Sequence, residues 1–439
     1  MTGRNATTGG ATLQEARQAT TPADADTEKG VVGDRAAEKP AAGDSAAGSP
    51  VKPTRWRAQL FLTFIAVGLV YVAVGFTIPV LPAHVTTTLG GEPGDVGWVM
   101  GAYAITAVAA RPLFGFWLNR TGTRRIVLIG ALLVGIASLL CIPTSSVAAL
   151  IACRLLLGVG LGAVLSAATI WMVALAPPDR QGWAMGMVGT INYLVLAVGA
   201  PLGRLLTDLA GMTTTFVVAG IAPLLAVPAV LVVPDHRGER RSDDAATRHG
   251  RSPLAAASLP GLALALAAFG HAGVISFSPI ALEERGVPSV SAVITAFAIT
   301  MVVTRVLGAK IRWNFTSPKG MVAIFGVEVL GMLLLSVAQG VVAAVVGGVL
   351  VGLGMSQIYP ALGLLVLRAT TSDRRGPALA TYGAFINVGI SAGNGVLGAL
   401  AGSMSYAAMF AATAGFVGLG LLVAALTAGR TPPKEAVPG

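Results

Sequence analysis

Apolar blocks close to twenty residues long recur along most of this chain, and they constrain its fold more than any other feature. A helix of that length spans the roughly 30 Å of hydrocarbon in a lipid bilayer. Of the 439 residues, 54% are hydrophobic and 11% are charged, whereas soluble domains carry about 25% charged residues. The sequence lacks the alternating, strand-length segments that are typical of outer-membrane barrels. It therefore predicts an all-α integral membrane protein, since only helices and closed barrels span lipid.

Twelve such blocks are predicted to be transmembrane helices. Gly and Pro interrupt several of them, and the shortest separations are Gln339-Gly340, between spans 9 and 10, and Gly402-Ser403, between spans 11 and 12. The predicted spans are 58–82, 95–118, 125–143, 147–175, 183–206, 213–233, 256–281, 289–309, 320–338, 341–367, 377–401 and 404–428.

The segments outside the spans differ sharply in composition. Residues 1–50 contain no aromatic residue and no apolar core behind a basic start, so we predict a disordered cytoplasmic tail and no secretory signal. Residues 234–255 are polar and rich in Arg, as expected of a cytoplasmic linker. Residues 431–439 are predicted to form a second cytoplasmic tail.

The basic residues support this topology independently. With both termini inside, twenty Lys and Arg residues fall in the inner segments, and only Arg204 and Arg285 fall in outer loops. Positive residues favour the cytoplasmic side of a membrane. The net charge of +10 therefore reflects orientation in the cytoplasmic (inner) membrane. A nucleic-acid partner is not expected, because no soluble basic face with interleaved aromatic residues is present.

An internal repeat relates the two parts of the chain. Residues 102–111 (AYAITAVAAR) align with 296–305 (AFAITMVVTR) at an offset of 194, which places Arg111 on Arg305. The same offset places Asp179-Arg180-Gln181-Gly182 on Asp373-Arg374-Arg375-Gly376. We therefore predict two six-helix bundles, residues 51–233 (the first repeat) and 256–430 (the second repeat). Parallel repeats of this kind imply a pseudo-twofold axis along the membrane normal, with a cavity between the halves.

Three motifs lie in register with this plan. An inner loop follows span 2, an intramembrane Arg154 precedes Gly158 and Gly160 in span 4, and a Gly- and Pro-containing segment lies in span 5. The loop residues are Gly115, Asn119, Arg120, Gly122, Arg124 and Arg125, and the span 5 residues are Gly199, Pro201 and Gly203. Together they resemble the signatures of the major facilitator superfamily. The loop has Asn119 where that family has Asp, and the span 5 motif has Ala200 for Pro and Arg204 for Gly.

This resemblance implies a twelve-helix transporter fold in the drug/proton antiporter (efflux permease) branch, with a role in drug resistance. The loop residues would form a cytoplasmic gate that releases as the bundles rock, and Arg111 and Arg305, one turn from the inner face, would belong to it. Simple anchoring of the topology by positive charge is the competing interpretation of the loop.

Polar residues within the spans are candidates for proton coupling or for the substrate cavity, because burying them in lipid is expensive. Arg154 is the first candidate, against a purely structural bond between helices. His271 has a pKa range suited to proton exchange, although a hydrogen-bonded neutral His fits equally well. Glu328 is the only acid well inside a span, but it lies in span 9, which is peripheral in the family. The remaining candidates, for which helix packing is the alternative role, are Asn192, Asn387, Gln357, Tyr359 and Tyr71.

The sequence excludes several other chemistries. No phosphate-binding Gly-x-x-x-x-Gly-Lys-Ser/Thr motif occurs, and the His and acidic residues form no metal cluster or hydrolytic triad. Cys141 and Cys153 are predicted to be free thiols. No cofactor, metal or catalytic residue is expected, and the chain is not expected to be an enzyme.

The leading functional hypothesis is a monomeric secondary exporter in the lipid bilayer. It would exchange a small amphipathic molecule, such as a drug or metabolite, for protons. A proton-coupled importer of a small neutral solute is the alternative, which the altered span 5 motif leaves open. An intramembrane enzyme or a receptor on this scaffold lacks a catalytic pair or an added domain. A cavity poor in fixed charge is expected to disfavour strongly anionic substrates.

Overall fold

The computed structural model describes residues 55–177, 180–236, 252–287, 291–308, 315–371 and 374–428. The predicted tails 1–50 and 431–439 lie outside these residues, as does most of the predicted linker 234–255.

The described residues form α-helices joined by short turns and contain no strand. The helices are α1 Arg55–Thr77, α2 Leu81–Ala83, α3 Pro93–Thr121, α4 Thr123–Leu140, α5 Val147–Leu175, α6 Gln181–Ile221, α7 Val227–Val232, α8 Pro253–Ala272, α9 Ser278–Glu284, α10 Ser291–Gly308, α11 Pro318–Val337, α12 Val341–Arg368, α13 Arg375–Ser403 and α14 Tyr406–Ala428. Single π-helical turns occupy His84–Thr88 and Gly273–Phe277, and a short 3₁₀ segment, Leu224–Ala226, precedes α7.

Ten helical segments of the described chain are long and apolar enough to cross a membrane, and Ser291–Leu307 is a shorter apolar helix. This confirms the prediction of an all-helical, multi-pass membrane protein. Most predicted span ends lie within about three residues of the observed helix ends. The first span is the main exception, because α1 ends at Thr77 rather than at residue 82. Pro79 lacks a backbone N–H and cannot continue the helical hydrogen bonding.

The longest apolar segment, Met187–Val232, has 46 residues and replaces the predicted loop between spans 5 and 6 with a break at one residue. Gly211 has a φ of 81°, outside the helical region. The hydroxyl groups of Thr207 and Thr215 lie 2.7 Å apart across this break. In a straight helix, residues eight positions apart are separated by about 12 Å along the axis. The chain therefore folds back sharply at Gly211.

Serine side chains lie at the start of several long helices, among them α5, α8 and α11. The side chains of Ser146, Ser252 and Ser317 each accept a hydrogen bond from the backbone N–H three residues later, at 3.1–3.3 Å. These bonds satisfy backbone donors that a helix leaves free at its start. The polar residues between apolar blocks thus define where α5, α8 and α11 begin.

The contacts between helices recur at the offset of 194 that the sequence predicts. A Cβ atom added at Gly158 on α5 would lie 2.1 Å from the carbonyl oxygen of Tyr103 on α3. The equivalent atom at Gly352 on α12 would lie 2.9 Å from the carbonyl oxygen of Phe297 on α10. Gly158 and Gly352 therefore allow close packing at equivalent positions of the two repeats, as small residues do in membranes.

Helices from the two repeats also pack directly against each other. Gly97 on α3 contacts Asn394 on α13 so closely that an added Cβ would lie 2.2 Å from the Asn394 carbonyl oxygen. One helical turn further along α3, the Ser391 hydroxyl donates a 2.8 Å hydrogen bond to the Gly101 carbonyl oxygen. This contact closes the space between the repeats at the end where α3 begins and α13 finishes.

Candidate functional site

Tyrosine side chains converge between the two repeats. Tyr193 on α6 lies within electrostatic range of Tyr103 on α3 and Tyr359 on α12, and Tyr71 on α1 lies within range of Tyr103 and Tyr193. Four helices of the two repeats thus each contribute one phenol ring to the same region. Tyrosine provides an apolar face and a hydrogen-bonding hydroxyl, which is the combination that binding cavities use most.

Next to these tyrosines lies the central aromatic cluster, formed by Tyr193, His271 and Phe297. The His271 ring centroid lies 6.1 Å from that of Tyr193 and 5.4 Å from that of Phe297, both in edge-to-face geometry. His271 is 6% exposed, and its Nδ1 atom has no hydrogen-bond partner among the described residues. The alternative interpretation, a structural histidine with both ring nitrogens hydrogen-bonded, is therefore not met at Nδ1 by the described residues.

A small cavity opens beside this cluster. Most of its wall is apolar, and four polar side chains face it, one of them on α3 and the others on the second repeat. The lining residues are Ile78, Met100, Tyr103, His271, Ala272, Ile275, Ser276, Ile390 and Asn394. The Asn394 Oδ1 atom is buried without a partner. The cavity has a volume of about 10 Å³, which no more than one water molecule occupies, and its wall combines apolar side chains with a few polar atoms.

Arg154 is buried between α5 and α3, with 1% of its surface exposed. Its Nε donates a 3.3 Å hydrogen bond to the Val99 carbonyl oxygen, and its guanidinium lies 4.9 Å from the centroid of the Tyr103 ring. One Nη atom is buried without a hydrogen-bond partner. The residue thus joins two helices of the first repeat and also contacts a tyrosine of the cavity wall.

Glu328 on α11 is fully buried and turned towards the protein interior. Its Oε1 lies so close to Gly270 on α8 that an added Cβ would be 2.3 Å away. An added Cβ at Gly354 on α12 would lie 2.7 Å from the Glu328 Cβ. Neither carboxylate oxygen has a hydrogen-bond partner among the described residues. The sequence placed Glu328 on a peripheral span, but its side chain packs beside the residue that precedes His271.

Arg111 and Arg305 occupy equivalent positions on α3 and α10, and both are half-buried. The Arg305 guanidinium lies 5.8 Å from the Tyr193 ring centroid, across the boundary between the repeats. The Nε of Arg111 is buried without a hydrogen-bond partner. The Arg305 side chain therefore approaches a tyrosine of the first repeat, and the gate role predicted for both arginines stays a prediction.

Two of the remaining cavity candidates contact neighbouring helices. The Gln357 amide donates weakly to the Thr304 carbonyl oxygen, at 3.4 Å, in a network that joins α12 to α10. The Tyr359 ring lies 5.3 Å from that of Tyr382, whose hydroxyl donates to the Tyr359 carbonyl oxygen at 2.7 Å. Asn192 and Asn387 are half-buried on α6 and α13. The structure thus gives Gln357 a helix-packing contact and packs Tyr359 against Tyr382 on α13.

The loop motif is held by a segment that follows α7. The Asp235 carboxylate accepts hydrogen bonds from the Thr123 hydroxyl at 3.2 Å and from the Arg124 backbone N–H at 2.9 Å. The Arg124 guanidinium donates to the Val233 carbonyl oxygen at 2.7 Å. Gly122 has a φ of 85°, and an added Cβ would lie 2.3 Å from Asp235. This glycine is therefore required both by its conformation and by the close approach of Asp235.

Other residues of this motif make fewer contacts. Arg120 and Arg125 are exposed, and the Arg120 guanidinium lies 4.5 Å from the Phe116 ring centroid. A Cβ added at Gly115 would meet nothing within 4 Å. The side chain of Asn119 lies outside the described part of the structure. The described loop contacts are made within the first repeat and with Asp235 at the start of the linker.

The α6 motif produces close packing between α6 and α1. A Cβ added at Gly203 would lie 2.3 Å from the Phe76 carbonyl oxygen, and one added at Gly199 would lie 3.1 Å from Gly75. Pro201 lies inside α6 between these glycines. Arg204, which replaces a glycine of the family motif, points away and pairs with Asp208 at 3.0 Å. The substitution therefore leaves the packing positions of the motif intact.

Sequence reasoning missed Tyr103, Tyr193, Phe297 and Asp235. Tyr103 and Phe297 occupy one position of the aligned repeat segments, so a conserved aromatic character in both copies was available as a signal. Tyr193 directly follows the candidate Asn192. Asp235 lies at the start of the predicted linker, where no local pattern distinguishes it from the neighbouring polar residues.

The described residues contain no group of three or more His, Cys, Asp or Glu side chains that can hold a metal ion. Cys141 and Cys153 are free thiols.

Comparison with known proteins places this arrangement in context. A family model described as Major Facilitator Superfamily matches residues 63–320 and 261–439. The chain is 29% identical over 369 residues to the "Uncharacterized MFS-type transporter YhhS" of Escherichia coli (strain K12), covering 80% of this chain and 88% of that protein. The protein of the same name from Salmonella typhimurium (strain LT2) is 29% identical over 373 residues, with the same shares of both chains covered.

Two solved structures share the fold. A bacterial homolog of the human lysosomal transporter Spinster, in an inward-facing and occupied conformation, matches with a TM-score of 0.69 and 15% identity, covering 87% of this chain and 98% of that one. The nucleoside transporter NupG matches with a TM-score of 0.69 and 12% identity, covering 84% of this chain and 99% of that one. At these identities the similarity extends to the fold alone.

Proposed function

Because this chain belongs to the Major Facilitator Superfamily, we propose that it exports a small amphipathic compound from the cell in exchange for protons. It is a multi-pass, all-helical membrane transporter of that family. Transport would proceed by alternating access, in which the two repeats rock about a central site. A monomer suffices for this mechanism, because both repeats lie in one chain.

The architecture we propose has twelve spans in two six-helix bundles, residues 51–233 and 256–430. In it, Met187–Val232 crosses the membrane twice, because a continuous helix of its 46 residues would be about 69 Å long. The shorter apolar helix Ser291–Leu307 would cross once. The termini and the linker 234–255 would then lie in the cytoplasm, on the inner-membrane side with the excess of basic residues.

The side chains that line the cavity are the main support for the proposed class of substrate. The wall has apolar side chains from α3, α8 and α13, and its polar groups are the side chains of Tyr103, His271, Ser276 and Asn394. The cavity is closed in this structure, with a volume of about 10 Å³ that admits no more than one water molecule. In this proposal, a compound with a large apolar surface and a few hydrogen-bonding atoms therefore binds to these walls when the repeats move apart. Drugs and secondary metabolites of this kind are the substrates we propose.

Proton coupling is assigned to the second repeat in this proposal. Glu328 is buried and its carboxylate oxygens have no described partner, which is an expensive arrangement for a charged group in a membrane protein. A neutral, protonated Glu328 that loses its proton when the cavity opens to water would avoid that cost. On α8, His271 directly follows Gly270, the residue that Glu328 contacts. It can therefore pass the proton towards the cavity. Arg154 cannot release its proton, so it would act as a fixed cation in contact with Tyr103.

Gating is assigned to the loop motif and to the packing of α1 on α6. The contacts that Asp235 makes with Thr123 and Arg124 would keep the start of α4 rigid while the bundles move. The close approach of Gly203 to Phe76 would make α1 and α6 move together. Arg120 and Arg125, which are exposed, remain free to bind the second repeat when the cytoplasmic side closes.

Everted membrane vesicles that contain the chain test the direction and the coupling. Respiration acidifies such vesicles and quenches the fluorescence of 9-amino-6-chloro-2-methoxyacridine. Compounds that bind the purified protein in a thermal-shift screen are then added. We expect them to relieve the quenching in wild-type vesicles, because antiport consumes the proton gradient, and to have no effect in Glu328→Gln vesicles.

The same assay separates export from the alternative, proton-coupled import of a neutral solute. A symporter added to everted vesicles would not accept the compound from the outer medium in exchange for protons. Compounds that bind a symporter would leave the quenching unchanged when added outside the vesicles. They would relieve it only when loaded into the vesicle interior. Wild-type vesicles that behave in this way would contradict the antiport proposal and favour import.

Reporter fusions test the topology. We expect an alkaline phosphatase fusion at Thr213 to be active, because the turn at Gly211 would face outwards. Fusions at Asp235 and Gly439 should be inactive as phosphatase and active as green fluorescent protein. A cytoplasmic Thr213 fusion would rule out the double crossing of Met187–Val232.

A further inference from the structure

Two arginines stand at equivalent positions in the two repeats. Arg111 on α3 and Arg305 on α10 are related by the offset of 194, and both are half-buried in the part of the chain that faces the other repeat. An arginine inside a membrane protein requires a compensating partner, because its charge cannot be removed by deprotonation. The partners of these two residues therefore indicate what the pair is for.

Arg305 reaches across the boundary between the repeats. Its Cζ lies 5.8 Å from the Tyr193 ring centroid on α6. Gly189, one turn earlier on α6, makes room for it, because a Cβ added there would lie 2.7 Å from Arg305 Nη1. Arg305 also lies within electrostatic range of Tyr359 on α12. Among the described residues, its neighbours are thus the rings of Tyr193 and Tyr359, the Tyr359 hydroxyl and the backbone at Gly189, which has no side chain.

Arg111 is surrounded in a similar way from the other repeat. It lies within electrostatic range of the phenol groups of Tyr71 and Tyr359. Its Nε is buried and has no hydrogen-bond partner. Tyr359 therefore lies within electrostatic range of both arginines, one from each repeat.

Neither cation is neutralised by a carboxylate of the described chain. Among the described residues, salt-bridge geometry occurs at Arg204 and Asp208 and involves neither Arg111 nor Arg305. Glu328 is the buried acid of the described chain, and it packs against Gly270 and α12 instead. Two uncompensated cations beside one hydroxyl leave a site with strong donors and excess positive charge.

We propose that Arg111 and Arg305 together bind the anionic group of the transported compound. The anion would be a carboxylate, sulfonate or phosphate, whose oxygens accept the paired N–H donors of a guanidinium. The rings of Tyr71 and Tyr193 would pack against the apolar part of the same molecule. The inference rests on the proposed transport function and narrows its substrate to amphipathic anions.

This assignment replaces the expectation that the cavity is too poor in fixed charge for anions. It also agrees with export by proton antiport in electrical terms. An anion that leaves the cell and a proton that enters both move with a membrane potential that is negative inside.

The test compares two ligands that differ in one group. Binding of 1-naphthalenesulfonate and of neutral 1-naphthalenemethanol to the full-length protein in nanodiscs is measured by isothermal titration calorimetry. We expect the sulfonate to bind at least about 10-fold more tightly, because a charge-assisted hydrogen bond contributes about 1.5–3 kcal/mol. Arg305→Gln and Arg111→Gln should each weaken sulfonate binding by roughly 10- to 100-fold and change binding of the alcohol less than about 2-fold.

Two further variants separate charge from folding. Arg305→Lys keeps the charge and loses the planar pair of donors, so it should retain part of the preference for the sulfonate. Arg204→Gln removes a cation that pairs with Asp208 outside the site and should leave both affinities unchanged. Size-exclusion profiles identical to wild type establish that each variant is folded.

The inference is overturned if the alcohol binds as tightly as the sulfonate, if the sulfonate does not bind at millimolar concentration, or if both Gln variants keep wild-type sulfonate affinity. Because this is a binding measurement, its outcome is independent of transport. If the protein binds the sulfonate through both arginines but fails the vesicle assay, the proposed anion site stands and the proposed proton antiport is contradicted.

Discussion

The two repeats share a scaffold but differ in the side chains that occupy one shared position. In the first repeat, Arg154 on α5 donates to the Val99 carbonyl oxygen at 3.3 Å. At the offset of 194, the second repeat has Gly348, and an added Cβ there would lie 3.0 Å from the carbonyl oxygen of Val293. The neighbouring backbone is thus the same, while a long cation in one repeat corresponds to no side chain in the other.

At a second pair of equivalent positions, the charged side chain belongs to the second repeat and the apolar one to the first. In the first repeat, Val134 on α4 packs against Gly160, where an added Cβ would lie 2.8 Å from a Val134 methyl group. In the second repeat, Glu328 on α11 packs against Gly354, and an added Cβ would lie 2.7 Å from the Glu328 Cβ. A buried acid has therefore taken the place of a buried valine at an otherwise duplicated contact.

This comparison separates packing from chemistry. Glycines and apolar residues that hold the helices together recur in both repeats, because the helices of both repeats must approach each other closely in lipid. The two fully buried charges, Arg154 and Glu328, do not recur at the equivalent positions, so packing does not require them. In the account proposed here, the first repeat provides a fixed cation at Arg154 and the second provides the titratable group at Glu328.

The largest expected effect comes from removing the unpaired cation of the first repeat. Arg154→Ala should abolish proton-driven transport in the vesicle assay while the protein remains folded and inserted. An Arg at a helix centre costs about 2.5–3.5 kcal/mol on insertion scales, so the residue needs a compensating role. Arg154→Lys should keep partial activity, because it preserves the charge but loses the planar donors.

Expression level and thermal stability control this experiment. If Arg154 only joined α5 to α3, its removal would lower the unfolding temperature and spare turnover. Normal proton-driven transport by the Ala variant, at wild-type expression, would show that the difference between Arg154 and Gly348 has no functional meaning.

A smaller effect is expected from the contacts that the repeats share. Gly158→Ala should lower the free energy of unfolding by about 1–3 kcal/mol, the range for overpacked sites, because the new methyl group would meet backbone 2.1 Å away. Gly352→Ala should be milder, since the corresponding distance is 2.9 Å. Thermal unfolding followed by tryptophan fluorescence in detergent measures both.

Gly415→Ala is the matched control, because an added Cβ at that position meets nothing within 4 Å. Alanine also favours a helix over glycine, so this variant should be neutral or slightly stabilising. Equal destabilisation by Gly158→Ala and Gly352→Ala would mean that the first repeat is not packed more tightly at this contact.

The smallest effect is expected outside both repeats. Deleting residues 2–50 should leave insertion and transport unchanged, since the composition of this segment does not support a folded core. Quantification of the protein in the membrane and the vesicle assay check this. Loss of folded protein on deletion would reveal a structural role for the segment.

The parts of this molecule that the sequence predicted well are those governed by length and periodicity. The apolar blocks located the helices, and the contacts of Gly158 and Gly352 follow the offset of 194 found in the sequence. The single-residue break at Gly211 was not predictable from composition, because polar residues on both sides resemble an ordinary loop.

The site was harder to predict because a span that is apolar on all sides has no sequence signal for its inward face. Glu328 lies in such a span, so only the structure shows that its carboxylate packs on Gly270. Arg111 and Arg305 were recognised as a symmetric pair, but a helix end within reach suggested that they extend to the surface. The tyrosines that attract them come from other helices, which a single sequence does not bring together.

Proton release on substrate binding tests the central claim most directly. The purified protein, in weakly buffered detergent with the pH indicator pyranine, is mixed with the compound that best relieves quenching in the vesicle assay. Wild-type protein should release protons in proportion to the compound bound. Glu328→Gln should bind the compound without releasing protons, because its amide has no proton to lose at this pH. Proton release by Glu328→Gln at the wild-type level would contradict the assignment of the titratable group to the second repeat.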